Sequence, residues 1–153
     1  MFNVCLNLVN DRQQAEELMQ DAFISAFRNI EEYKGEVAFG AWLKRITINK
    51  CLDYLKKRRI EFEPLENSQN IGDSENNDNE IIIKQTVENI RKAISELPDG
   101  YRTIISLLLF EGFDHEEISQ ILGITESTSR SQYTRAKAAL VNILKKYEHG
   151  QLI

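Results

Sequence analysis

Only two histidines, two cysteines and two prolines occur among the 153 residues, and these scarcities close several functional routes. His115 and His149 are the whole supply of imidazole, and there is no glycine-rich phosphate loop. No Cys/His set has metal-ligand spacing, so no metal, no cofactor and no enzymatic activity are expected. Cys5 and Cys51 show neither metal nor redox spacing. They are expected to fill hydrophobic core as reduced thiols. Long apolar runs are missing too: nothing approaches the roughly 20 residues that a membrane span needs. The longest candidate, Ile104 to Phe110, reads as a buried helix. Met1 to Val9 has no basic n-region and no cleavage pattern. These absences lead to the expectation of a cytoplasmic protein without membrane insertion.

What is present is apolar and charged in ordinary proportion. Hydrophobic residues make up 42% and charged residues 28%, which fits a globular chain and not a disordered one. The length suits one ordinary domain or two small ones. The net charge of −5 averages three unlike stretches. Residues 33–59 hold eight Lys/Arg against Glu36 and Asp53, a net +6. Residues 61–80 hold seven acids and no base. Residues 125–146 hold Arg130, Arg135, Lys137, Lys145 and Lys146 against Glu126, a net +4. Two basic patches separated by an acidic stretch point to two nucleic-acid contacts on one chain.

The patterning places three segments: a domain over 1–60, a flexible acidic linker over 61–79 and a second domain over 80–150. Apolar periodicity stops in the middle segment, where Pro64, Gly72 and a run of Asn, Ser, Asp and Glu take over. Fully stretched, such a tether spans roughly 65 Å. Before it, Ala15, Leu18, Met19, Ala22, Phe23, Ala26, Phe27 and Ile30 follow helical spacing as one inward stripe. Asn10 or Asp11 caps that helix, with Gln13 or Gln14 three residues later. A two-turn apolar segment, Phe2 to Val9, precedes it. Tyr33 to Ala38 reads as a loop containing Gly35, and a helix from about Phe39 to Arg58 turns Phe39, Trp42, Leu43 and Ile46 inward. After the linker, Ile83, Val87, Ile90, Ile94 and Leu97 form one stripe ended by Pro98 and Gly100. Tyr101 to Phe110 is apolar almost all round and is expected to be buried. No segment reads as a strand, so the fold class is all-α: two small helical domains joined by a flexible acidic linker.

Glu116 to Lys137 has the layout of a helix-turn-helix. Asp114 caps its first helix, with Glu117 at the capping-box position and Phe113 able to staple against Ile118. Small Ser119 sits at the helix crossing, Gly123 permits the bend, Ile124 plugs the turn and Thr125 caps the second helix. That second helix presents Thr125, Ser127, Thr128, Arg130, Ser131, Gln132 and Arg135. Hydroxyls and amides near a helix N-terminus suit base edges and phosphates, and Arg suits guanine or phosphate. Ser129 occupies a position where this motif usually has an apolar residue, and is expected to weaken the packing of the recognition helix. Gln132 stands where Arg is common, which removes one phosphate contact.

Asp11–Arg12–Gln13–Gln14–Ala15–Glu16–Glu17–Leu18–Met19–Gln20–Asp21–Ala22–Phe23 resembles the segment of sigma factors that grips the polymerase clamp. Tyr33–Lys34–Gly35–Glu36, Phe39, Trp42–Leu43–Lys44–Arg45–Ile46, Asn49 and Asp53 are similar to the adjoining promoter-melting part. Leu97–Pro98, Tyr101–Arg102, Phe110–Glu111–Gly112–Phe113, Glu116–Glu117–Ile118 and Leu122–Gly123–Ile124 resemble the upstream-element domain. Both halves in this order point to the small extracytoplasmic-function type of RNA polymerase sigma factor. Members usually have a complete first helix, of which Phe2 to Val9 supply only the last two turns. Either the true start lies upstream of Met1 or the core is reduced on that side.

The resemblance implies specific partners and roles. Core RNA polymerase would be bound through the clamp of its largest subunit by Glu17, Gln20, Asp21 and Arg28. Promoter DNA would be met at the −10 element by Tyr33, Lys34, Gly35, Lys44, Arg45 and Asn49, with the loop 33–38 taking a flipped base. The helix-turn-helix would read the −35 element, and an anti-sigma factor is a further possible partner. Trp42 reads as a stacking platform or as core. Lys56 to Arg59 reads as a phosphate contact or a solvated helix end, and the acidic linker as a thread into polymerase or as solubilising disorder. The competing class is a helix-turn-helix regulator that binds duplex DNA without polymerase.

Overall fold

The computed structural model describes residues 1–61 and 87–150, without the side chains of residues 59–61 and 150. The expected linker therefore lies outside the described residues, apart from Glu61, which closes a helix. Among the described residues every regular element is helical, as the patterning required. The chain divides into two compact units, Met1–Asn67 and Ser68–Ile153.

In the first unit, α1 (Phe2–Val9), α2 (Arg12–Arg28) and α3 (Phe39–Glu61) each pack on the other two. A short 3₁₀ turn, Ile30–Glu32, follows α2. Two adjacent residues divide the work at the first corner. Asn10 ends α1 in the left-handed region at φ 54°, a conformation Asn tolerates well. Asp11 starts α2, its carboxylate accepting the Gln14 backbone N–H at 3.2 Å. The buried side of α2 is narrow and small, made by Ala15, Leu18, Ala22 and Ala26. It meets Val4, Cys5, Leu8 and Val9 of α1 and Leu43, Ile48, Cys51, Leu52 and Leu55 of α3.

This corrects the single wide stripe read from the sequence. Phe23 and Phe27 lie roughly 100° round α2 from the alanines, Ile30 falls in the 3₁₀ turn beyond the helix, and all three are exposed, Phe27 at 72%. Phe39 is likewise exposed, and Trp42 and Ile46 are only half-buried. The reason is spatial. Alanines let three helix backbones approach closely, and the buried side of a three-helix unit has no room for the large rings as well.

The second unit comprises α4 (Val87–Ser95), α5 (Asp99–Ile105) continuing as a π-helical turn over Ser106–Phe110, α6 (His115–Leu122) and α7 (Glu126–Gly150). Helix α7 packs on α4, α5 and α6 and carries Ala136, Leu140, Val141 and Leu144 into the core. Opposite them lie Ala93, Ile94, Leu97, Ile104, Ile105, Leu107, Ile118 and Ile121. Arg102 is buried without cost in unsatisfied charge. Its guanidinium donates to the Leu97 carbonyl at 2.9 Å and pairs with Asp99, joining the end of α4 to the start of α5. Two apolar expectations fail here. Val87 is exposed at the start of α4, and Leu109 and Phe110 emerge from the core at 55% and 41% exposure. The π turn explains the second: widening the helix by one residue rotates its last side chains out of the apolar register.

Cys5 and Cys51 are both free and fully buried, at the α1–α3 contact. A hydrogen bond with Cys5, and then burial, push the Cys51 thiol up from its ordinary range. A raised thiol pKa means that Cys51 stays protonated at neutral pH and is a poor nucleophile. Ellman's reagent at about pH 7.5 should therefore leave both cysteines unmodified in the folded protein. In denaturant both should react; rapid reaction without denaturant would show that the α1–α3 contact is open in solution.

Candidate nucleic-acid interface

Three surfaces carry the candidate residues, and each is set by local helix geometry. On α2, Glu17, Gln20, Asp21 and Arg28 are all exposed and point away from the alanine face. Ile24 and Phe27 stand among them, so the acidic face is also apolar. Asp21 and Arg28 share a shallow groove of about 280 Å³ with Ile24, Ser25, Asn29 and the α3 residue Lys50. Periodicity alone had spent Phe27 on the core. The available signal was its size beside Ala22 and Ala26, which favour a tight interface.

The second surface joins the loop after α2 to one side of α3. Tyr33 Oη donates to the Val37 carbonyl at 2.5 Å, closing the loop across Gly35, whose φ is 75°. The Tyr33 ring lies 5.5 Å from Phe39 and 5.2 Å from Trp42, and those two rings are 5.7 Å apart. Phe39, Trp42, Arg45 and Asn49 share one side of α3, opposite the Thr47–Cys51–Leu55 side. Aromatic faces therefore run into Arg45 and Asn49, the combination that holds single-stranded nucleic acid by stacking and charge. Lys34 is exposed beside Gly35 in the loop. Lys44 is not brought to this stripe; it is half-buried and at least 100° or so away round the helix.

The third surface is the helix-turn-helix. The capping box is complete: the Glu117 N–H donates to Asp114 Oδ1 at 2.8 Å, and the Asp114 N–H to Glu117 Oε1 at 3.3 Å. Gly123 takes the left-handed conformation at φ 68°, and the Ser119 carbonyl accepts the Ile124 N–H at 3.0 Å. Thr125 Oγ1 accepts the Thr128 N–H at 3.1 Å, capping α7. Ser127, Thr128, Ser131 and Arg135 then face outward together, with Arg130 and half-buried Gln132 on the flanks. Arg130 is held 3.2 Å from Glu126, one turn back, in an exposed ion pair. Such a pair is weak and can exchange for a phosphate or guanine. Ser129 is fully buried and does not leave a defect, because His115 Nδ1 lies 2.8 Å from its hydroxyl.

Known proteins share both halves. Residues 1–60 match the family model Sigma-70 region 2, and residues 87–140 match Sigma-70, region 4. The ECF RNA polymerase sigma-E factor of Escherichia coli K12 is 31% identical, over 82% of this chain and 71% of that protein. Its counterpart from Haemophilus influenzae is 31% identical over 86% and 75%. The RNA polymerase sigma-H factor of Pseudomonas aeruginosa is 28% identical over 95% and 80%. Among solved structures, the sigma factor RpoE in complex with the anti-sigma factor NepR, from Bartonella quintana, superposes with a TM-score of 0.65. That likeness covers 94% of this chain and 89% of the other at 23% identity, and shows the fold alone.

A helical unit with an aromatic and basic stripe and a second unit with a capped helix-turn-helix have the make-up of a DNA-binding transcription factor. The chain belongs to the ECF RNA polymerase sigma factors. It is an alternative sigma factor, directing transcription initiation with RNA polymerase. The regulator reading falls, since its N-terminal half would not match region 2. Among the described residues no helix is long and apolar enough to cross a membrane.

Two substitutions probe the loop. Gly35→Ala places a Cβ on a positive φ and should cost about 1–2 kcal/mol, read by urea unfolding. Tyr33→Phe keeps the rings but removes the hydroxyl that closes the loop. Amide hydrogen exchange over residues 34–37 should quicken while the α3 core amides stay unchanged; equal exchange throughout would mean that the hydroxyl does not hold the loop.

Proposed function

We propose that the three surfaces divide the initiation task between them. The exposed side of α2 docks on the clamp of the largest polymerase subunit through Glu17, Gln20, Asp21 and Arg28, with Phe27 and Ile24 as the apolar centre. A helix face with an aromatic anchor inside a charged rim is the composition of an interface hot spot. The loop 33–38 receives a base flipped from the −10 element, while Trp42, Arg45 and Asn49 guide the strand and Lys44 contributes charge from the side. Helix α7 reads the −35 element with Thr125, Ser127, Thr128, Arg130, Ser131, Gln132 and Arg135.

In this reading residues 1–60 are the polymerase-binding and melting domain, 61–79 the acidic linker and 80–150 the upstream-element domain. The protein works in the cytoplasm as a binding and positioning factor, and the chemistry of RNA synthesis belongs to polymerase. An anti-sigma factor would inhibit it by covering the same exposed faces. One observation carries the division of labour: Phe27, the most exposed large apolar side chain among the described residues, stands among the polar docking candidates and on a different helix from the −10 stripe.

The two roles should therefore separate by mutation. Phe27→Ala and Asp21→Lys should weaken core-polymerase binding by about tenfold or more and depress transcription from every promoter alike. Exchanging residues 33–38 for the loop of another sigma factor should change the preferred −10 base and leave polymerase affinity intact. Arg130→Ala or Arg135→Ala should cost about 1–3 kcal/mol at one −35 position if the arginine contacts a base edge. Loss of polymerase binding from the loop exchange, with none from Phe27→Ala, would reverse the assignment.

A further inference from the structure

Ser129 and His115 do not belong to any DNA-facing surface, yet the geometry gives them a part in reading. Ser129 lies one turn into α7 with no exposed surface, and a buried hydroxyl without a partner is costly. Its partner comes from fourteen residues earlier: His115 Nδ1, at 2.8 Å. His115 is the first residue of α6, directly after the Asp114 cap. The same imidazole meets the Tyr133 ring edge-on, with centroids 5.9 Å apart and planes at 61°. Ser129 and Tyr133 are four residues apart and so share one side of α7, opposite Ser131. One side chain at the start of α6 thus grips two successive turns of α7 from directly behind its outward face.

An apolar contact at this position would hold α7 against α6 but tolerate rotation, because burial has no direction. A hydrogen bond tolerates little, since it weakens steeply as distance and angle depart from the optimum. The side chains of a helix end about 5–6 Å from its axis, so a 10° roll moves their tips by about 1 Å. That displacement is as large as the tolerance of a bidentate base contact. We infer that His115 is a positioning residue for −35 recognition: its bond to Ser129 sets the rotation of α7, and with it which base edges Arg130, Ser131 and Arg135 reach. The inference rests on the reading of α7 as the recognition helix.

The test uses the full chain assembled with core polymerase. Promoter fragments selected by the wild-type holoenzyme from a pool randomised at the −35 element are compared with unselected fragments from the same pool. The readout is the ratio of the two affinities. A loosened or partly unfolded domain lowers both affinities together and leaves this ratio unchanged, whereas a misrotated helix lowers the ratio. Ser129→Ala and His115→Phe should each reduce the ratio by about tenfold. His115→Asn, whose amide reaches the place of Nδ1, should restore it although the ring is gone. The double variant His115→Phe/Ser129→Val, with an apolar pair and no orphaned hydroxyl, should recover thermal stability but not the ratio. The inference is overturned if both single variants keep the ratio, if both affinities fall equally, or if His115→Asn behaves as His115→Phe. A wild-type holoenzyme that selects no −35 sequence would overturn the promoter reading and this inference with it.

Discussion

Ala15, Ala22 and Ala26 lie on one side of α2 with almost no surface left to water, and the rest of the first unit depends on how closely they let α1 and α3 approach. Small side chains bring helix backbones together and leave no gap for a ring. Leu8, Ile48 and Cys51 fill what space remains. The large residues of α2 and the start of α3 are consequently displaced to the surface, where Phe27 stays open to solvent and Phe39 is only partly covered by Tyr33 and Trp42. A compact core and an apolar exterior are two results of one packing choice. In a unit of about 60 residues, which buries little of its surface in any case, exposed aromatics cost stability that only a function can justify.

The second unit solves a different problem with polar groups in the interior. Arg102, Thr103, Ser106 and Ser129 are buried in it. Arg102 is satisfied by the Leu97 carbonyl and Asp99, Thr103 by the Asp99 carbonyl at 2.7 Å, and Ser129 by His115. The Arg102–Leu97 bond crosses the junction before α5 and the His115–Ser129 bond joins α6 to α7, so these two constrain direction where apolar packing constrains only distance. In a domain built round one long helix, directional contacts set the orientation of that helix and are worth more than their modest net energy. Among the outward residues of α7, Thr128 shares a hydroxyl bond with the Thr125 cap and Arg130 pairs with Glu126, a pair that solvent and salt keep weak.

Structure is legible in the sequence almost wherever the interaction is itself local. The capping box at Asp114 and Glu117, the left-handed Gly123, the Thr125 cap and the loop around Gly35 all join residues within a few positions of one another. Helix positions, and with them the outward set on α7, follow from such contacts and from the 3.6-residue period. Fully buried Cys5 and Cys51 follow from composition. The choice between Asn10 and Asp11 as cap was open in the sequence because both side chains suit it. It closed in the structure because α1 ends there and needs Asn10 for its own left-handed terminus.

The helices, the caps that bound them, the two-part basic charge pattern and the order of motifs that marks the family are all written in the amino-acid order. The helices and their caps depend on a residue and its near neighbours, and the charge pattern and motif order need no contact between them. Packing between helices selects which of two adjacent apolar stripes on α2 is buried and turns Phe39 outward beside Tyr33 and Trp42. It also gives Ser129 its partner in His115. A period of 3.6 residues states which side chains share a face, and it is silent on what that face will meet. That depends on the size of side chains in other helices and on hydrogen bonds spanning fourteen residues or more, which no local pattern contains.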